Sequence, residues 1–314
     1  MLELMPPTLL ASPGSAAVGR SAIEAFFYGH LFYGVCAVAQ VFETTAQLGL
    51  PLNGWLAAGA FTGTALFYSY PYTRRGADSA DPRVVWHLRH LDLVRRLQRW
   101  ALLGLIALSG WMAVRHRAAL QAMTPLEWVV LLAFPCAGGL YYGVPVASRV
   151  MTLRRRGWLK PFAIGFVWAG VVVAYPIMFA RLQYGHPTPL SFFPCLLFVK
   201  TLMFVAVLAI LFDIKDRDTD QRVGLSTIVT LVGLERTLFQ VSFPLTVLGI
   251  VTFLSFATMQ QFTTARVLLV LVPFVLLLAV IVSLTRHRTI LYYLTVVDGL
   301  MLAKALFDIL AFRY

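Results

Sequence analysis

Leu211-Phe212-Asp213-Ile214-Lys215-Asp216-Arg217-Asp218-Thr219-Asp220-Gln221-Arg222-Val223-Gly224-Leu225-Ser226-Thr227 continues directly from an apolar run, Phe192 to Phe212, that is long enough to span a bilayer. A helix here leaves the membrane carrying carboxylates. Asp213, Asp216 and Asp220 stand at i, i+3 and i+7, and at about 100° per residue they share an arc of roughly 60° on one face. Asp218 falls well off that face. Three acids side by side repel unless a cation sits among them, and hard oxygen ligands of this kind suit Mg²⁺, which commonly joins one or two carboxylates to substrate phosphates. Against this stands a plain solvated helix end, because Lys215, Arg217 and Arg222 are interleaved with the acids. The position at the mouth of a membrane span favours function, since ionisable groups there are costly to place.

The composition sets the class. Of 314 residues, 59% are apolar and only 13% charged, where an ordinary globular chain carries about 25% charged residues. A mean hydropathy of +0.77 over the whole length rules out a soluble domain with a single anchor. The reading is an all-α, polytopic membrane protein in which residues 1–20 form a short, loosely packed lead and 21–314 form one membrane domain. Nine spans are expected near 22–48, 55–73, 97–115, 126–147, 161–182, 192–214, 238–258, 266–285 and 290–311. Runs of this length without period-2 alternation make helices rather than barrel strands. No cleavable signal peptide is read at the start, because the first apolar run is too long and lacks a small-residue cleavage site. Cys36, Cys136 and Cys195 are scattered and odd in number, which gives neither a disulfide framework nor a metal spacing.

The net charge of +12 is a matter of orientation rather than nucleic-acid binding. Of the 26 Lys and Arg, 19 fall in the lead and in every second loop, five on the opposite side, and Lys200 and Lys304 inside spans. By the positive-inside rule the N-terminus and the Asp-rich stretch are cytoplasmic and the C-terminus is outside. Trp86, Trp100 and Trp158 then lie near the inner interface, and Trp55, Trp111 and Trp128 near the outer one.

Several further residues carry simple expectations. Asp81-Pro82 reads as a helix start. His87 and His90, three apart on a basic segment, read as a solvated helix face. Asp298 within the last span should face a cavity or a polar partner. Lys304 and Asp308, four apart, should pair near the outer surface. Lys200 should extend toward the interface, and Glu43 should be interfacial. Tyr68 and Tyr72, nearest the loop after the second span, are the best placed aromatics to line a cavity and face a cation with their rings.

The pattern Asp213-x-x-Asp216-x-x-x-Asp220, followed by Gly224-Leu225-Ser226-Thr227 and Leu231-Val232-Gly233, resembles the second Asp-rich motif of the UbiA superfamily of intramembrane prenyltransferases. The resemblance includes its place at the end of the sixth of nine expected spans. Leu159-Lys160-Pro161 leading to Trp168 and Pro176, and Val297-Asp298-Gly299, are similar to a bacterial branch of that superfamily. The resemblance implies nine helices around a central cavity, a bacterial inner-membrane location, and Mg²⁺ held by Asp213, Asp216 and Asp220. It implies as partners a polyprenyl diphosphate, ionised to an allylic cation, an aromatic or other lipophilic acceptor, and the surrounding membrane lipids, with no nucleic acid.

One departure bears on the chemistry. The family's first motif, Asn-Asp-x-x-Asp-x-x-x-Asp at the end of the second span, is replaced by Tyr68-Ser69-Tyr70-Pro71-Tyr72-Thr73-Arg74-Arg75-Gly76-Ala77. Asp78 and Asp81 lie just beyond it. The family's Tyr-x-x-x-Lys element keeps Tyr142 but has Val146 in place of the Lys, leaving Arg149 or one of Arg154 to Arg156 to supply the charge. Two outcomes are open: a transferase in which Arg74, Arg75 and Arg217 contact the diphosphate in place of a second ion, or a membrane protein that binds an isoprenoid or prenyl phosphate without ionising it.

Overall fold

The structure, a computed structural model, describes residues 15–74, 81–146, 149–151, 157–185, 192–222 and 224–313. Each of the nine expected apolar segments contains helix in its described part, although the fourth leaves its helix at Gly143 and ends in extended chain. Apart from a small antiparallel ribbon, β1 (Val144–Val146) on β2 (Arg149–Met151), the described chain is helices and their connections. Among the described residues five helical rods are long and apolar enough to cross a membrane, and a sixth is added if the bent pair at 21–48 counts as one span. The protein is an all-helical, multi-pass membrane protein.

The first expected span is two helices. α1 (Ser15–Tyr28) begins within the expected lead and meets α2 (Leu31–Leu48) at a 60° bend. The bend falls at Gly29-His30, where His30 has φ 63°, a left-handed conformation uncommon outside glycine. α3 (Gly54–Ser69) starts at Asn53, whose side chain accepts from Leu56 N–H at 3.0 Å, and ends in a tight 3₁₀ turn, Tyr70–Arg74. α4 (Pro82–Arg89) is capped by Asp81 as expected, and α5 (Leu91–Arg115), the short α6 (Arg117–Gln121) and α7 (Pro125–Tyr142) follow. α7 opens with a capping box between Thr124 and Glu127.

α8 (Lys160–Ala169) and α9 (Tyr175–Tyr184) form one rod through a π-helical turn at Gly170–Ala174, just ahead of Pro176. A second π turn, Thr237–Ser242, precedes Pro244. In both places the ring that cannot donate follows the widened turn. α10 (Phe192–Asp213) is the central rod, and α8 lies along it. After it come α11 (Arg217–Arg222), α12 (Ile228–Val232), α13 (Leu234–Arg236), α14 (Phe243–Met259) and α15 (Thr264–Ser283). α16 (Ile290–Tyr292) leads through a third π turn, Tyr293–Val297, to α17 (Gly299–Arg313).

α2 packs between α3 and α17, α17 rests on α15, and α14 fills the space between α10 and α15. The apolar core, with Phe32, Cys36, Val172, Phe204, Leu277 and Met301, draws on all of these rods except α3 and α14 through those six side chains. α5 stands at the edge, against α3, with most of its length exposed.

Four charges inside this core correct three expectations. Lys304 holds Glu43 at 2.5 and 2.7 Å, and Lys200 holds Asp308 at 2.6 Å. Gln47 donates to Glu43 at 3.0 Å and to Asp308 at 3.1 Å. Glu43, Lys304 and Asp308 are each only 1% exposed. Glu43 is therefore not interfacial, Lys200 does not extend outward, and Lys304 with Asp308 is not a surface pair. Two cations and two anions from α2, α10 and α17 cancel where either alone would be costly. The expectations failed because each residue was read on its own helix, while its partner is contributed by another.

Candidate active site

The acidic stretch sits where α10 stops. After Asp213 the chain tightens into a 3₁₀ turn, Ile214–Asp216, and resumes as α11. Gly224, with φ 68°, turns the chain back, and Thr227 caps α12 by accepting from Thr230 N–H at 3.4 Å. This loop receives the start of α8 at close quarters. A Cβ on Gly157 would lie 2.6 Å from the Ser226 carbonyl oxygen, and one on Gly165 would lie 2.5 Å from that of Leu202. Only glycine allows both approaches. They bring Lys160, the first residue of α8, onto Asp213 as an ion pair.

Asp213 is 3% exposed. Lys160 takes its Oδ1, and its Oδ2 makes no hydrogen bond among the described residues. The same holds for Asp220 Oδ2 and Arg217 Nε, which are buried without partners. Asp216 pairs with its neighbour Lys215. The three acids act electrostatically on one another, and Lys160 acts on both Asp213 and Asp220. Asp218 is exposed, as its position off the shared face predicts.

Where the expected first acidic motif is missing, the structure supplies a buried arginine. Arg83, on α4, is 5% exposed, with Asp81 Oδ2 at 2.7 Å from its Nη2. Its guanidinium lies over the rings of Tyr72, 5.4 Å from the centroid, and Phe212, 5.5 Å. Lys215 Nζ also lies over the Phe212 ring, 5.0 Å from its centroid. Thus a single phenyl group at the end of α10 carries a cation from each of two elements. Burial pushes the Asp81 carboxyl up, but the hydrogen bonds and charge of Arg83 outweigh it and hold its pKa at about 2.

Under Arg83 the aromatic residues form a continuous stack. Tyr72 is 4.9 Å from His87 and 4.7 Å from His30, ring centre to ring centre, and His30 is 5.2 Å from His87. The left-handed backbone of His30 directs its ring into this group. His87 is fully buried, which corrects its reading as a solvated residue. Its Nδ1 lies 2.8 Å from the Arg83 carbonyl oxygen, so that nitrogen carries the proton, and Nε2 makes no hydrogen bond among the described residues. Burial lowers the His87 pKa and keeps the ring neutral. Tyr68 stacks on Tyr33 at 4.3 Å, and the Tyr33 hydroxyl donates to Asp298 Oδ2 at 2.5 Å. Asp298 is 5% exposed and acts electrostatically on Arg83 and Lys215, so it joins the same group.

The structure thus brings Asp213, Asp216, Asp220, Arg217, Tyr68, Tyr72 and Asp298 to one end of the bundle. Tyr142 is near, but its hydroxyl donates to the Phe67 carbonyl at 2.7 Å. The side chains of Arg74 and Arg149 and the whole of Arg75 lie outside the described part. Arg83, Lys160, His30 and His87 were missed as site residues. The signal for Arg83 and His87 was their i, i+4 spacing in a helix that starts at Asp81-Pro82. For Lys160 it was a place in sequence just ahead of a span, with no local mark of its partner.

No group of three or more His, Cys, Asp and Glu able to hold a metal occurs among the described residues. The donors that are present, the buried unpartnered oxygens of Asp213 and Asp220, fit Mg²⁺ bound jointly with substrate phosphates, the arrangement in which this ion needs only one or two carboxylates.

No family model matches the chain, and no curated protein matches its sequence. A solved structure does: a digeranylgeranylglyceryl phosphate synthase studied in membranes, with a TM-score of 0.56 over 94% of this chain and 100% of that one, at 12% identity. The likeness shows that this chain and that synthase share a fold.

Proposed function

We propose that the protein is an intramembrane prenyltransferase that moves a prenyl group from a polyprenyl diphosphate to an aromatic or other lipophilic acceptor. The observation that carries this is the meeting of buried carboxylates and buried cations at the end of α10. Lys160, Lys215 and Arg83 come from three elements, and Arg217 keeps a buried N–H without a partner among the described residues. Such a ring matches a diphosphate better than it matches water.

When bound, Mg²⁺ would neutralise the charge that grows on the departing diphosphate, held by Asp213 and Asp220 with Asp216 beside them. The chain's own cations serve the same end: Arg83 and Arg217 offer planar N–H donors, while Lys160 and Lys215 leave their carboxylates for phosphate oxygens. The C–O bond of the allylic diphosphate breaks with its electron pair going to the diphosphate. The acceptor then bonds to the allylic carbon and loses a proton. The rings of Tyr68, Tyr72 and Tyr33 keep water from the cation and face it with their π electrons. We place this end of the bundle, with the N-terminus, on the cytoplasmic side, on the strength of the loop charges.

A second reading, binding without ionisation, is supported by the internal pairing of Asp213 with Lys160 and Asp216 with Lys215. The two separate in one experiment. Purified protein is given a radiolabelled polyprenyl diphosphate, a lipophilic phenol as acceptor, and Mg²⁺ or EDTA. Mg²⁺-dependent pyrophosphate release with label in the acceptor is expected. Tight binding without release would favour the binder, and absence of both would contradict each reading.

A further inference from the structure

On the same side of the molecule, outside the site just described, a groove opens between α5 and the end of α3. Its walls carry Arg95, Arg96 and Arg99 together with Leu66 and Leu102. Arg95, Arg99 and Leu102 stand at i, i+4 and i+7, so one face of α5 runs from guanidinium to hydrocarbon over about 10 Å. The polar floor is fixed. Gln98 donates to Ser69 Oγ at 3.1 Å and accepts from Thr73 Oγ1 at 3.3 Å, and Arg95 reaches the Thr73 carbonyl at 3.4 Å. None of the three arginines forms an ion pair among the described residues, and all three are exposed. Among the described residues Asp92 is the one acid in the lining, which leaves those lining residues with an excess of two positive charges.

The helix bearing this groove is the edge rod of the bundle. Trp100, next to Arg99, is 72% exposed, and Leu97, Leu103 and Ile106 are also exposed. A charge excess that only set orientation would not need a groove, a fixed floor or an apolar continuation. The polarity runs as it does in an amphiphile, anionic at the membrane surface and apolar below it.

The geometry points to a resident-lipid site between α3 and α5 for a glycerophospholipid with an anionic headgroup, in the leaflet on the acidic-motif side. The arginines contact the phosphate, and the acyl chains lie along α5 beside Trp100. Each basic residue near a membrane surface adds to the attraction for such lipids, so enrichment of about tenfold over zwitterionic lipid is expected.

Trp100 stands four residues after Arg96, on the same side of α5 at the border of the groove, and so reports on a lipid held there. The full-length protein is reconstituted in phosphatidylcholine vesicles containing a minor fraction of brominated phosphatidylglycerol or, in parallel, brominated phosphatidylcholine. The Trp100 signal is taken as the difference between the wild type and Trp100→Phe. Stronger quenching by the brominated anionic lipid is expected, with the preference lost in the Arg95→Gln/Arg96→Gln/Arg99→Gln variant. Equal quenching by the two lipids in the wild type would overturn the proposal, as would a preference that survives in the triple variant. Displacement by millimolar inorganic phosphate would show a free-anion site instead. Protection of Trp100 from both lipids together with a cross-linked dimer would show that a second copy covers α5. Either result overturns the lipid assignment.

Discussion

Replacing Asp213 by asparagine is expected to lower pyrophosphate release by about 10²-fold or more, with the protein still folded. Loss of one preorganised electrostatic group at a reacting centre has effects of this size. Asp213 is the most enclosed of the three acids, and its second oxygen is held buried without a partner. Asparagine keeps the shape but removes the charge that balances Lys160 and that, in the proposed function, would hold Mg²⁺. Asp218→Asn provides the internal control. It changes the same net charge, at a position midway in sequence between Asp216 and Asp220 but exposed, and should alter release by less than about twofold. If both variants behave alike, the carboxylates act only through their overall field.

A second large effect is expected far from the chemistry. Lys304→Met should destabilise the protein by about 3–5 kcal/mol, because it leaves Glu43 buried with its main cation gone. Lys200 is 3.9 Å from Glu43 and already engaged by Asp308, so it compensates only in part. Glu43→Leu with Lys304→Met removes both charges at once and should recover most of the loss. A thermal or denaturant unfolding cycle on the wild type, the two single variants and the double variant checks this. Additive losses, with no recovery in the double variant, would show that the two side chains do not depend on each other. α2, α10 and α17 meet at this cluster, so the Lys304→Met loss should appear as separation of the core rods rather than as a local change.

These two cases show what the residues disclose and what they conceal. The all-helical membrane class, the cap at Asp81, the exposure of Asp218 and the nearness of Asp213, Asp216 and Asp220 follow from local spacing and hydropathy, and each could be read off the chain, although the acids straddle a 3₁₀ turn rather than one continuous α-helix. The tetrad of Glu43, Lys200, Lys304 and Asp308 could not. Each member looked like an isolated charge on an apolar rod, and only packing of three rods pairs them. Arg83 was hidden for a related reason. Attention to the vacant acidic motif favoured Arg74 and Arg75, the nearest cations in sequence. The turn at Tyr70–Arg74 and the start of α4 instead bring Arg83, the next arginine along the chain, over the ring of Phe212. Lys160 reaches Asp213 only because Gly157 and Gly165 let two backbones approach, a property of the helix contact and not of either sequence stretch.

The central claim is that buried cations, Arg83 above all, share with the acidic stretch the work of holding a diphosphate. Equilibrium binding of a labelled polyprenyl diphosphate to the purified protein, with Mg²⁺ and with EDTA, in the wild type and in Arg83→Gln, tests it most directly. The account predicts that EDTA weakens binding sharply, and that Arg83→Gln weakens it by about tenfold or more even at saturating Mg²⁺, the scale of a lost charge-assisted hydrogen bond. Affinity unchanged by both EDTA and the substitution would contradict it.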